Sequence, residues 1–93
     1  MARNWVRLAA DGLAVEGSCL VHTIIFTPNN NDESVDVYDG LDAVAGKLFC
    51  HVVMFREETR TIDLGEGVPF DRGVYVAMEN VGDAVTIVFT PLE

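Results

Sequence analysis

Ser34-Val35-Asp36-Val37-Tyr38-Asp39-Gly40-Leu41-Asp42 reads as a short alternating strand that runs into an Asp-Gly turn. It is answered by Pro69-Phe70-Asp71-Arg72-Gly73-Val74-Tyr75-Val76, a turn followed by a strand. Side chains alternate across a strand, so Val35 and Val37 are expected to point inward and Asp36 and Tyr38 outward. Working outward from these two segments, helical periodicity is nearly absent. Strand signals recur at short intervals with Gly, Asn, Asp or Pro between them, the pattern of an all-β chain.

Strands are expected near Val6–Ala9, Leu13–Val15, Ser18–Thr27, Val35–Asp39, Lys47–Arg56, Arg60–Asp63, Val68–Phe70, Val74–Glu79 and Ala84–Thr90. Pro28 and the run Asn29–Asp32 end the long strand and predict an exposed loop. Gly65-Glu66-Gly67 and Asp71-Arg72-Gly73 predict two further turns. Asn80-Val81-Gly82-Asp83 predicts a tight hairpin between the last two strands. Leu41–Ala45 is allowed one helical turn, which Gly46 and the β-branched and aromatic residues after it bring to an end. The fold expected is an antiparallel two-sheet sandwich, jelly-roll or immunoglobulin-like, of about eight short strands. It forms one domain over residues 1–93, with residues 1–10 readable as an N-terminal arm.

Two strands stand apart. In Ser18–Thr27, alternation gives Leu20, His22, Ile24 and Phe26 on one face and Cys19, Val21, Thr23 and Ile25 on the other. In Lys47–Arg56 it gives Phe49, His51, Val53 and Phe55 against Leu48, Cys50, Val52 and Met54. Both faces of both strands are largely apolar, unlike Val35–Asp39 or Ala84–Phe89, where Val85, Ile87 and Phe89 form the inward set. A soluble monomer seldom exposes such a face, so a loop, the segment around Trp5 or a sister subunit must cover it.

Fifteen acidic and six basic residues give a net charge of −9. That balance argues against nucleic-acid partners, which need Lys and Arg to displace counterions, and against an anionic membrane surface. No stretch approaches the roughly 20 apolar residues of a membrane span. The first residues lack the apolar core of a secretory signal, which predicts synthesis in the cytoplasm. Cys19 and Cys50 fit no zinc spacing and are expected as reduced core thiols.

No motif points to catalysis, and the protein is not expected to be an enzyme. Ser18 and Ser34 lack a nucleophile elbow, and the glycines show neither the phosphate-loop nor the dinucleotide spacing. No cofactor is expected. Asp36, Asp39 and Asp42 invite a calcium reading, but their spacing departs from the EF-hand loop. Asp39 is better read as a turn residue that bonds its own backbone. His22 and His51 lie mid-strand among apolar residues and are expected at a subunit interface. Arg3, Trp5 and Arg7 form the most basic stretch of the chain. With the amphipathic Tyr38 and Tyr75 they are the expected partner contacts.

The order of these segments resembles that of short bacteriophage virion proteins. Ser18–Thr27 stands for a long apolar strand, followed by Val35-Asp36-Val37-Tyr38-Asp39-Gly40 and the small-residue loop and strand Ala43–Phe55. Val68-Pro69-Phe70, Gly73-Val74-Tyr75-Val76 and Ala84–Phe89 complete the pattern. The resemblance implies a structural role on the capsid or tail surface of a virion. It suggests a capsid decoration or head-accessory protein, a homo-oligomer and in particular a homotrimer, bound to the major capsid protein or another virion protein. The alternative is a carbohydrate- or receptor-binding module of a phage tail or fibre. The pattern is one of strands and turns, so no functional residue is carried over with it.

Overall fold

The computed structural model describes residues 3–27, 33–54, 58–78 and 84–92. Eight strands follow one another: β1 (Asn4–Leu8), β2 (Gly12–Glu16), β3 (Cys19–Thr27), β4 (Glu33–Asp39), β5 (Lys47–Met54), β6 (Arg60–Phe70), β7 (Gly73–Met78) and β8 (Ala84–Pro91). They form two antiparallel four-stranded sheets. Sheet A has the order β1-β8-β3-β6 and sheet B the order β2-β7-β4-β5. The expected all-β sandwich is thus the fold observed.

The order also selects between the two expected shapes. β1 pairs with β8, β2 with β7, β3 with β6 and β4 with β5. Each pair is nested inside the one before it, as if a single long hairpin had been folded over into two sheets. This is the jelly-roll arrangement. In an immunoglobulin sandwich the first strand would share its sheet with the second, whereas here β1 and β2 lie in different sheets.

The inward residues are those that alternation marks in the one-sided strands. Val35 and Val37 of β4 meet Val74 and Val76 of β7 in the buried layer of sheet B. Val85 and Ile87 of β8 do the same for sheet A, beside Val21, Ile24 and Phe26 of β3. Phe70 closes one end of the core, its ring centroid 5.0 Å from that of Phe49. Burying each such side chain contributes about 1.5–3 kcal/mol relative to leaving it in water.

Several local expectations are corrected. Strict alternation fails in both two-faced strands because each carries a bulge. In β3 the register shifts between Val21 and Thr23, so Cys19, Val21, Ile24 and Phe26 face the core and Leu20, Thr23 and Ile25 face out. In β5 the shift lies opposite Val37 and Tyr38. It makes Phe49 the extra residue and brings Leu48 to the outward side with His51 and Val53. Gly65-Glu66-Gly67 does not end a strand. It is an excursion within the single strand β6, so that Arg60–Asp63 and Val68–Phe70 belong to one element. The final two strands do not pair as a hairpin either, since β7 and β8 lie in different sheets. Residues 80–83, the loop at 28–32, Phe55, Arg56 and Glu79 lie outside the described residues. The helical turn expected at Leu41–Ala45 is a single turn. The amide of Gly46 donates to the carbonyl of Asp42, whose carboxylate accepts from the amides of Val44 and Ala45.

The two segments that opened the reading meet at one end of the sandwich. Asp39 does not bond its own turn. Its carboxylate accepts from the backbone amides of Asp71 and Arg72, and Gly40 N–H donates to Gly73 C=O over 3.1 Å. Ser18 Oγ donates to Asp71 C=O and Gly17 N–H to Arg72 C=O, so the β2–β3 and β6–β7 turns are joined as well. A β-carbon on Gly73 would run into the carbonyl of Val15, which explains why the turn carries glycine there.

Candidate interaction face

The register of sheet B places one outward residue from each strand in a single row. Leu13 of β2 stands opposite Tyr75 of β7, Tyr75 opposite Tyr38 of β4, and Tyr38 opposite Leu48 of β5. The two tyrosine rings are neighbours, with centroids 6.4 Å apart and planes tilted by 58°. Tilted aromatic pairs at this distance are favourable contacts in their own right. Leu48 is 52% exposed, and Leu13, Tyr38 and Tyr75 are half-buried. The result is an apolar and aromatic band that crosses the whole outer face of the sheet.

Beside the band lies a polar row. Asp36 of β4 stands opposite Ala77 of β7 on one side and His51 of β5 on the other. His51 Nδ1 and the Asp36 carboxylate are in direct contact, and the imidazole is largely exposed. A contact this exposed adds little to stability. It does fix the His51 ring over β4. A third row holds Ser34 and the exposed Val53.

The structure thus brings Tyr38 and Tyr75 together and sets His51 next to them. The other expected contacts lie elsewhere. Trp5 and Arg7 belong to β1, the outer strand of sheet A, where Trp5 is 70% exposed opposite Val88. Arg3, also exposed, precedes that strand. The segment is therefore an edge strand paired with β8, and Trp5 covers neither two-faced strand.

His22 and His51 are in different sheets and do not approach each other. His22 occupies the β3 bulge, 5% exposed, beneath the β6 excursion. Its Nδ1 lies 3.3 Å from the carbonyl of Gly65, which fixes a proton on that nitrogen as donor. Its Nε2 lies 2.7 Å from Thr90 Oγ1. Gly67 sits so close that a β-carbon there would stand 3.0 Å from Leu20 Cβ and 3.2 Å from the His22 ring. The cover over β3 comes from its own chain.

The three aspartates of the calcium reading are each spent separately: Asp36 on His51, Asp39 on the β6–β7 turn and Asp42 on its own turn. Among the described residues no group of three or more His, Cys, Asp or Glu is gathered to hold a metal ion. Cys19 and Cys50 are free thiols in different sheets. Burial, with a smaller contribution from the Asp39 charge, pushes the Cys19 thiol up to about 11. Burial and Asp36 raise Cys50 in the same direction.

Leu13 and Leu48 were missed as members of this face. Leu48 was hidden by the bulge: plain counting sends it inward with Cys50. The one signal was the unbroken apolar run Leu48-Phe49-Cys50, where alternation is already ambiguous. Leu13 lies in a strand of five residues whose own register shifts. Compared with known protein families, with curated proteins and with solved structures, the chain finds no match.

Proposed function

We propose that this chain is a non-enzymatic structural protein that docks onto another protein through the aromatic band of sheet B. The observation that carries the reading is the row Leu13, Tyr75, Tyr38 and Leu48 on the outward side of a sheet whose other side is already the core. Contiguous apolar surface of this kind marks interaction sites in soluble proteins. Tyrosine in particular is enriched at the centres of interfaces. The setting follows from the sequence resemblance: a homo-oligomeric accessory protein on a bacteriophage virion, bound to the major capsid protein or a neighbouring virion protein. Jelly rolls serve in capsid and lectin domains alike, so the fold agrees with that setting by analogy. Arg3, Trp5 and Arg7 offer a second contact on the opposite sheet.

Co-sedimentation with assembled particles tests the reading. Wild-type protein pellets with the particles, and the double change Tyr38→Ala, Tyr75→Ala weakens binding at least about tenfold, the loss expected of central aromatic contacts. Trp5→Ala measures the second contact. Undiminished pelleting of the double variant would rule out the band as the docking face.

One observation favours a second reading. Two adjacent tyrosine rings with the Asp36 carboxylate in the next row combine an apolar platform with a hydrogen-bond acceptor, which suits a sugar ring. A carbohydrate-binding module would bind a glycan array and lose that binding on Tyr38→Ala.

A further inference from the structure

A sandwich has four sheet edges, and here they differ. β1 and β2 have five residues each, the first with exposed Arg7 and the second with a register shift and Glu16. β6 carries Asp63, Glu66, Pro69 and two glycines with positive φ, Gly65 and Gly67. Short length, charge, proline and irregularity are the means by which proteins keep sheet edges from pairing with other chains. β5 has eight residues, and its bulge and only charged residue, Lys47, both lie in its first half. From Cys50 to Met54 it is regular, with no glycine, proline or full charge, and among the described residues it pairs with β4 alone.

We infer that the free edge of β5 pairs antiparallel with β5 of a second copy, across a two-fold axis at His51. The inference takes from the proposed function only that the chain self-associates. Docking of the aromatic band does not enter it. Two observations point to this occupant. First, the bulge at Phe49 sets the outward residues Leu48, His51 and Val53 at successive alternate positions, opposite Tyr38, Asp36 and Ser34. The outward face of the strand is therefore apolar, histidine, apolar, with His51 at its centre. Rotation about His51 lays Leu48 of each copy against Val53 of the other and covers these two side chains, 52% and 47% accessible.

Second, the pairing joins two copies of sheet B into one sheet of eight strands. The aromatic bands then share one outer surface and remain open to a partner.

The contact is small. A strand of this length at ~3.3 Å per residue covers on the order of 300–500 Å² per copy, below the ~800 Å² per partner of a standard stable interface. The dimer is accordingly a reversible one in the micromolar range, and it is two-fold where the sequence resemblance implies a trimer.

Sedimentation velocity on the full chain from about 1 to 200 μM tests this. The expected result is a monomer–dimer equilibrium that Val53→Lys weakens at least tenfold and that Tyr38→Ala leaves unchanged. Because Val53 is exposed, the variant keeps the wild-type circular dichroism spectrum and melting temperature. Register is tested by His51→Cys in a Cys50→Ser background. A residue on the axis faces its own copy at cross-strand distance, so mild oxidation yields a disulfide-linked dimer. A monomer at 200 μM, a trimer, or a dimer indifferent to Val53→Lys would overturn the inference. So would a dimer lost on Tyr38→Ala, which would place self-association on the band. Particle co-sedimentation is read separately, so failure of the edge contact leaves the docking proposal standing or falling by its own experiment.

Discussion

β3 and β5 carry the same kind of sequence. Each is a long apolar strand with one cysteine, one histidine and one bulge, and each reads as needing cover on both faces. The structure treats them differently. β3 lies inside sheet A between β8 and β6, and the excursion of β6 closes over its histidine. β5 is an edge of sheet B, with its histidine, Leu48 and Val53 in water. Apolar composition states that a strand requires a cover. Topology decides whether the chain supplies the cover itself or leaves it to another molecule.

Changes on the β3 side are therefore expected to cost stability, and the matching changes on β5 to cost almost none. The largest effect is expected from Gly67→Val. At φ +118 a branched side chain is strained, and it would press on Leu20 and His22. Urea unfolding is expected to show a loss of about 3–4 kcal/mol, and a near-neutral result would mean that the excursion is not a fixed cover. Next comes the histidine pair. His22→Ala leaves the buried Thr90 hydroxyl without its partner, at a cost of about 2–3 kcal/mol. His51→Ala removes an exposed contact and stays within about 0.5 kcal/mol. Equal losses would dissolve the contrast between the strands.

The cysteines sharpen it through pH. The folded-state value of Cys19 is raised from 9.0 to about 11, so the native state holds the proton that the unfolded chain releases first. The stabilisation is complete below about pH 9 and is lost as pH rises toward 11, a fall of about 2.5 kcal/mol across that window. Cys19→Ala is expected to flatten the slope in urea titrations at pH 8, 9, 10 and 11. Cys50→Ala, on the half-buried strand, flattens it less. A smaller effect belongs to the end of the sandwich. Asp39→Ala frees the amides of Asp71 and Arg72 and costs about 1.5 kcal/mol, while Asp42→Ala, which caps only an exposed turn, costs about 0.5–1 kcal/mol.

The wet-faced strands were legible because one side chain in two is polar. Val35, Asp36, Val37 and Tyr38 alternate without ambiguity, and the structure places them as counted. The two-faced strands were not, because an apolar run gives no sign of where an extra residue is inserted. One bulge in each was enough to move His22, Leu48 and Phe49 to different neighbours. Turn chemistry showed where the chain bends but not which sheet it enters next. Asn80–Asp83 carries the residues of a tight hairpin, yet β7 and β8 part to opposite sheets. Asp39 was recognised as a turn residue, although its partners lie in the other turn, at a sequence distance that no local signal spans. The band on sheet B was half legible. Its tyrosines announced themselves, while its two leucines required the register.

The nested pairing has a consequence for the order in which the molecule assembles itself. β4 and β5 enclose only the Gly40–Gly46 turn, whereas β3·β6, β2·β7 and β1·β8 enclose progressively more chain. Closing a loop costs entropy that grows with its length, so the innermost pair is the least expensive to nucleate, and each pair brings the next within reach. The nascent chain is expected to zip outward from β4·β5, laying strands alternately into the two sheets. The β5 edge would then exist before the rest of the sandwich does. Two emerging copies would be able to meet there before either had finished folding, which would make crowding during synthesis a hazard to yield as well as a route to the dimer.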